Sequence, residues 1–292
     1  MMKIRYPEGL RKDMQDIIVT SRKSTEIFKG DFARSLKDEI TRKGTTEGDH
    51  REHLGASLIG HDCSRYLWYT FRWVKRMPIS AQLGRIFKRG QDEEDRIILN
   101  LPYPVINRQQ RVSAVYGHFG GSIDGMLDVD GDLALIEFKT HNASSFSRLA
   151  NHGLEDAKLQ HYIQMLIYMR LLNLEYGIYL AVNKNDDDYY IQVVEAEDCI
   201  ADDYLHRAEM VVESDILPNK VSFDATFYKC KMCHYINLCY YKEQPLSNCR
   251  TCDKSNPTDT GTWMCSQYLR DIPVTFQLKG CSAWKMKSCM MN

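Results

Sequence analysis

The stretch Ile123-Asp124-Gly125-Met126-Leu127-Asp128-Val129-Asp130-Gly131-Asp132-Leu133-Ala134-Leu135-Ile136-Glu137-Phe138-Lys139 decides the fold. Asp130-Gly131 is a two-residue turn signal between two apolar runs, the pattern of a β-hairpin. With that turn Val129 pairs with Asp132, and outward from it the two residue numbers of each pair sum to a constant. Asp124 then falls opposite Glu137, with Cβ atoms about 4.5–5.5 Å apart. Facing carboxylates repel, and a divalent cation between them reverses the sign. Glu137 and Lys139 are two apart, so both leave the strand on one face. The hairpin therefore offers two oxygen ligands and one ammonium, a set that suits Mg²⁺ or Mn²⁺ rather than zinc. A one-residue slip would put the carboxylates on opposite faces. The plain alternative is a salt-bridged surface hairpin. Against it, Leu133-Ala134-Leu135-Ile136 makes the second strand apolar, and charges in such a strand need partners.

Working outward, residues 155–172 predict a helix with Leu159, Tyr162, Ile163, Leu166, Ile167 and Met169 as its apolar residues. Gln160, Gln164 and Tyr168 recur every four residues and share one face, where an amide and a phenol can hold a phosphate or the lysine. Residues 81–99 predict an amphipathic helix with Leu83, Ile86, Phe87, Ile97 and Ile98 on its apolar side. Glu94 lies on it and offers a further carboxylate. Strands are expected within 103–139, at Gly177–Val182 and at Tyr189–Val194, and a charged helix over 198–214. The order helix, strands, helix, strands reads as an α/β protein with a mixed central sheet flanked by helices. Three parts are expected: a helical segment over 1–53, a core over 54–243 and a cysteine-rich tail over 244–292.

Formal net charge is −1, so any polyanion contact must come from a local basic surface. Arg72, Lys75, Arg76, Arg85, Lys88 and Arg89 are the densest basic group, with aromatics nearby. The first residues carry no apolar leader core and no apolar run is long enough to span a membrane, so a cytoplasmic protein is expected. Its ten cysteines then favour metal ligation over disulfides. Cys63 stands upstream, in an aromatic run that includes Tyr66, Trp68, Tyr69, Phe71 and Trp73. Cys230-x2-Cys233-x5-Cys239 stands downstream. Their spacing leaves an iron–sulfur cluster and a tetrahedral zinc both open. In the tail, Cys249-x2-Cys252 with Cys265 and Cys281 reads as a zinc knuckle. Cys199 reads as a buried hydrophobe and Cys289 as an incidental thiol.

Gly90-x3-Glu94, Asp124, Glu137-x-Lys139 and Gln164-x3-Tyr168, in this order, resemble the motifs of the PD-(D/E)xK nuclease superfamily. With Cys63, Cys230, Cys233 and Cys239 the likeness is to its RecB-like iron–sulfur branch, which includes CRISPR adaptation nucleases. Gly55-Ala56-Ser57 through Cys63 to Trp73 resembles bacteriophage-encoded exonucleases in particular. The resemblance spans about residues 54–240. It implies a restriction-endonuclease-like core, a [4Fe–4S] cluster on those four cysteines, and Mg²⁺ or Mn²⁺ on Asp124 and Glu137 with Glu94 as third carboxylate. It implies catalytic roles for Lys139, Gln164 and Tyr168, and DNA ends or single strands as substrate, with recombination or replication proteins as further partners. Many members carry a histidine in the first helix where this chain has Gly90-Gln91-Asp92-Glu93-Glu94. A nucleic-acid-binding recombination or assembly partner retaining the fold is the alternative. Facing carboxylates would serve no purpose in it.

Overall fold

The computed structural model describes residues 31–48 and 50–290. Most of the helical segment expected over 1–53 lies outside them. The described elements begin with α1 (Phe32–Gly44), β1 (Leu54–Gly55), α2 (Ala56–Ile59), α3 (Ser64–Phe71) and α4 (Ala81–Ile98). Next come β2 (Val105–Ile106), β3 (Arg111–Ala114), β4 (Phe119–Ser122), β5 (Gly125–Val129) and β6 (Asp132–His141). Then follow α5 (Ala143–Ala157), α6 (Leu159–Leu172), β7 (Tyr176–Asn183), β8 (Tyr189–Glu195) and α7 (Asp198–Glu213). The last strands are β9 (Ser255–Pro257), β10 (Trp263–Cys265) and β11 (Arg270–Asp271).

The chain divides into two compact units. The smaller holds the chain up to Glu47 together with Pro78–Lys88. Within it Thr46 and Ile79 exchange backbone hydrogen bonds of 3.0 and 2.9 Å. Of the expected apolar side of α4, Leu83, Ile86 and Phe87 are exposed and only Ile97, in the larger unit, is buried.

The larger unit is built on a five-stranded sheet of order β2-β5-β6-β7-β8, with β6 and β7 parallel and the other pairs antiparallel. This is the mixed sheet expected. The deciding hairpin takes the register derived for it, Val129 opposite Asp132 and Gly125 opposite Ile136. Asp130 and Gly131 both have positive φ, 54° and 103°, as the tight hairpin turn demands. The parallel β6–β7 pair needs a long crossover, and α5 and α6 supply it. The single helix expected over 155–172 is therefore two helices. Lys158, with φ −144° and ψ 51°, separates them, and Asn142 caps the unforeseen α5 by accepting from the Ser145 N–H at 2.8 Å. α6 stops at Asn173, whose left-handed φ of 53° ends the helix with its N–H on the Met169 carbonyl. Every residue from Tyr162 to Met169 is buried, so α6 runs through the middle of the core rather than over its surface. Only Leu159 of its expected apolar residues is exposed.

The cysteine-rich tail is part of the same unit. Trp263 on β10 is 2% exposed, lies in the main core and meets the Phe71 ring at 5.3 Å. Arg250 is 1% exposed and lies over the Trp73 ring at 3.6 Å. It donates to the carbonyls of Phe71 at 2.9 Å and Glu52 at 2.8 Å and to Gln277 Oε1 at 2.8 Å. The packing thus runs across the division expected after residue 243.

Candidate active site

β6 crosses the centre of the sheet, and its alternation puts Glu137, Lys139 and His141 on one face. The neighbouring parallel strand sets Tyr179 beside Glu137 and Ala181 beside Lys139. Over this face α6 presents His161, Gln164 and Tyr168, spaced three and four residues apart. Asp124, just before β5, reaches across the hairpin and accepts the Phe138 N–H at 2.9 Å. The facing of Asp124 and Glu137 thus follows from the turn.

Glu137 is 1% exposed. Its Oε1 accepts from Gln164 Nε2 at 2.8 Å and from Lys139 Nζ. Its Oε2 is buried with no hydrogen-bond partner. Lys139 Nζ also donates to the Phe138 carbonyl at 3.2 Å and lies 4.0 Å from Asp124 Oδ2, so the ammonium stands within reach of both carboxylates. Burial, aided by the Asp124 charge, pushes the Glu137 carboxyl above the usual range against the pull of Lys139. For Lys139 burial works against the charge, but Glu137 and Asp124 outweigh it and raise the ammonium. Glu94 belongs to the same site. Burial raises its carboxyl, with the Asp124 charge next, while Arg108 at 3.1 Å pulls the other way. Tyr168 is 2% exposed, and a Cβ on Gly121 would meet its hydroxyl at 2.2 Å, so only glycine fits there. Burial raises its phenol, followed by the charges of Glu137 and Asp124. Glu94, Asp124, Glu137, Lys139, Gln164 and Tyr168 are therefore brought together. Gln160 is not part of the group; its backbone packs on Gly60.

The first cysteine set also converges. Cys63, Cys230, Cys233 and Cys239 line one pocket with Tyr66, Tyr69, Tyr235 and Tyr240. The Tyr240 hydroxyl donates to Cys230 Sγ at 3.2 Å, the Tyr235 N–H to Cys233 Sγ at 3.4 Å and Arg65 to Cys239 Sγ at 3.8 Å. In the tail, Cys249, Cys265 and Cys281 line another pocket. Burial, then the charges of Cys252, Cys281 and Cys265, push the Cys249 thiol up to about 11. Among the described residues, no three His, Cys, Asp or Glu side chains stand close enough as they are to grip a metal ion. Cys199 is exposed, contrary to the expectation that it is a buried hydrophobe, and Cys289 is half-buried against the core.

The expected basic surface needs correction at Arg72. Its guanidinium is fully buried, 5.1 Å from both the Trp68 and Trp263 rings, and donates to the Ser214 carbonyl at 3.3 Å. Burial pulls it down to about 10. Lys75 is engaged with Glu243 at 3.3 Å, while Arg76, Arg85, Lys88 and Arg89 are exposed. Arg51, whose charge acts on Tyr168, lies nearer the site, as does Arg108 on Glu94. The sequence carried no signal for either. His141 and His161 stand on the same faces, and continuing the β6 alternation from Lys139 and the α6 face back from Gln164 reaches both.

The chain matches no family model and no curated protein. Among solved structures it is similar to an alkaline exonuclease from Laribacter hongkongensis, at 18% identity over 60% of this chain and 90% of that one, with a TM-score of 0.43. The same exonuclease in complex with dAMP gives 14% identity, 55% and 85% coverage and a TM-score of 0.40. A phage-related exonuclease from Haemophilus somnus gives 14% identity, 44% and 70% coverage and a TM-score of 0.35.

Proposed function

We propose that the chain is a divalent-metal-dependent deoxyribonuclease of the PD-(D/E)xK type that hydrolyses phosphodiester bonds at DNA ends or in single strands. The observation that carries this reading is Glu137, a buried carboxylate with one oxygen fixed by Gln164 and Lys139 and the other without a partner. A buried oxygen left unpaired is costly unless something else binds it. Asp124 and Glu137, with Glu94 as third carboxylate, would hold Mg²⁺ or Mn²⁺, an oxygen-only set of the right hardness. Bound there, the ion would polarise the scissile phosphate and lower the pKa of an attacking water.

The chain's own residues do the rest. Gln164 fixes the rotamer of Glu137. Lys139 is held charged and stabilises the negative charge that develops on the phosphate oxygens. Tyr168, buried beside the two carboxylate charges, would with Gln164 position the strand. The water oxygen bonds to phosphorus as the bond to the leaving strand breaks, and that strand's oxygen takes the proton the water gives up.

The first cysteine set fits a [4Fe–4S] cluster: four thiols line one pocket and three of them already receive hydrogen bonds from hydroxyl, amide or guanidinium donors. Four thiolates on one zinc stand about 3.8 Å apart, whereas cluster ligands on four separate irons stand further apart. For the tail we propose a zinc on Cys249, Cys252, Cys265 and Cys281, which would have to draw together on binding; Cys249, Cys265 and Cys281 share one pocket, and the Cys252 charge acts on Cys249. Protein purified anaerobically should be brown with about four irons per chain. Colourless protein with two zincs and no iron would replace the cluster by a second zinc.

The functional reading is tested by incubating purified protein with single-stranded and blunt duplex DNA, with and without Mn²⁺. Metal-dependent cleavage that disappears in Asp124→Ala is expected. Absence of cleavage with Mn²⁺ and with Mg²⁺ in its place, or full activity in the variant, would overturn it.

A further inference from the structure

The two edges of the five-stranded sheet differ. β2, at one edge, is two residues long and half-buried. β8, at the other, runs for seven residues, Tyr189-Tyr190-Ile191-Gln192-Val193-Val194-Glu195, with no glycine, proline or lysine to blunt it. Its two faces are used unequally. Tyr190, Gln192 and Val194 face the helices: Val194 is buried, and Gln192 Oε1 accepts the Leu154 N–H of α5 at 2.9 Å. Tyr189, Ile191 and Val193 face the other way, beside Val182, Leu180 and Ile178 of β7, and are 48%, 60% and 59% exposed. Leu180 and Val182 are buried in a cluster with Ile97 of α4, so the cover on this face ends before β8.

The same three residues hold the free edge. The Asn183 N–H bonds the Asp188 carbonyl and the Ala196 N–H bonds the Glu175 carbonyl, each at 2.9 Å. Both pairs continue the β7–β8 register, so bonding to β7 alternates through Tyr190, Gln192 and Val194. The N–H and C=O groups of Tyr189, Ile191 and Val193 therefore point away from β7, out of the sheet. Asp188 Oδ1 meets the Tyr189 N–H at 2.9 Å. Ile191 and Val193 thus carry an apolar ridge and an outward backbone ladder together, the two features that an added strand uses.

Charge decides what kind of strand. Asp186, Asp187 and Asp188, all exposed, precede the ridge, and Lys184 and Arg96, which lies 3.4 Å from Asp187, offset them only in part. Glu195, Glu197 and Glu175 are exposed at the other end. Pairing with a second copy would set acid against acid, whether the two β8 strands ran antiparallel or parallel, and like charges across a pair repel.

We propose that β8 is the docking edge for an extended segment of a partner protein, one with alternate apolar side chains on the face of Ile191 and Val193 and with Lys or Arg at both ends. The ridge lies on the sheet face opposite Glu137 and Lys139, so docking leaves the carboxylates open. The proposal is independent of the nuclease reading.

The probe is a blocked nonapeptide, alternating valine and threonine with two lysines at each end, added to the full-length protein. Amide hydrogen exchange, read residue by residue, reports on β8. Saturable binding should slow exchange at Ile191 and Val193, whose amides face the edge, and leave Tyr190 and Gln192, already bonded to β7, unchanged. Ile191→Thr keeps strand propensity and removes half the ridge, and should weaken binding about tenfold. Val193→Pro deletes one edge N–H without breaking a bond to β7 and should weaken it at least as much. Joint Asp186→Lys and Glu195→Lys should weaken the lysine-ended peptide about tenfold and tighten a glutamate-ended one by a similar factor. No saturable binding, protection elsewhere than at Ile191 and Val193, or equal affinity for the two peptides would overturn the proposal. So would protection of the same amides that grows with protein concentration alone, which would make the occupant a second copy.

Discussion

Glu137 and Arg250 are each 1% exposed, yet the protein treats the two buried charges in opposite ways. Arg250 is satisfied on every side. Its Nε and both terminal nitrogens donate to oxygens at 2.8–2.9 Å, and the Trp73 ring covers its face at 3.6 Å. Glu137 has one oxygen doubly bonded and the other bare. A charge whose donors are all met works as a structural tie, because removing it strands the carbonyls around it. A charge left half-met destabilises the resting fold, and what completes it has to come from outside the chain.

The largest expected effect follows from the bare oxygen. Glu137→Gln keeps shape and the contact with Gln164 but removes the ligand charge. Turnover should fall on the order of 10³-fold, while thermal stability changes little, because relief of the half-met carboxylate is offset by the Lys139 ammonium left with Asp124 alone. A melting curve and a cleavage assay on one preparation check both. A variant that unfolds while wild-type turnover persists in its folded fraction would make Glu137 structural and erase the contrast.

Arg250→Ala should behave in the reverse manner. The loss of a fully packed side chain, with carbonyls left unpaired, should cost about 3–5 kcal/mol in urea unfolding. Arg250→Lys should recover little of it, because an ammonium cannot make the planar fork or lie flat on the indole. Folded protein at low temperature should still cleave at the wild-type rate. Truncation after Glu243 should be at least as damaging, since it removes Arg250 and the Trp263 ring from the core. A stable, active truncated chain would restore the tail as an independent module.

Lys139→Ala sharpens the comparison within the site. An ammonium cannot ligate a cation, so cleavage should drop roughly 10²-fold. Mn²⁺ affinity, by titration, should hold or improve, because the competing ammonium is gone from between the carboxylates. Loss of Mn²⁺ binding equal to that of Asp124→Ala would mean that Lys139 shapes the site rather than acting on the phosphate.

What the sequence revealed and what it hid divide along the same physical line. The hairpin register, the mixed sheet and the convergence of Asp124, Glu137, Lys139, Gln164 and Tyr168 were legible because they depend on turn chemistry and on periods of two and of three to four residues. These are local rules. The kink at Lys158, the burial of Arg72 and the docking of the tail were not, because each depends on contacts across long sequence separations. Arg72 illustrates this: next to Trp73 and near Lys75 it reads as one of a basic group, yet the Trp263 ring, far downstream, closes over it together with Trp68. The exposure of Leu83, Ile86 and Phe87 has the same origin, since periodicity gives a face but not what covers it.

The smallest expected effect is on acid stability, and it concerns the histidine end of the same strand. Unfolded, His141 and His161 titrate near their ordinary 6.5; folded, burial and the neighbouring lysines hold them at about 4 and about 3. Below pH 6.5 the unfolded chain therefore binds protons that the native chain refuses, and stability falls as pH drops through this range. The loss levels off once the folded rings titrate, and above pH 6.5 these groups contribute no slope. Each depressed ring sets a limiting slope of ~1.4 kcal/mol per pH unit. His161 bonds the Tyr179 hydroxyl through Nδ1 at 2.8 Å, a contact that an asparagine can reproduce, so His161→Asn removes one titrating ring and the urea midpoint between pH 6.5 and 4 should decline less steeply than in wild type. His53, also depressed to about 4, remains as a background slope common to both proteins. Parallel curves for the two proteins would mean that His161 gains protons as readily folded as unfolded. Burial of its ring against the Tyr179 hydroxyl would then leave no mark on the titration, and the acid slope would come from the other depressed rings, His141 and His53 among them.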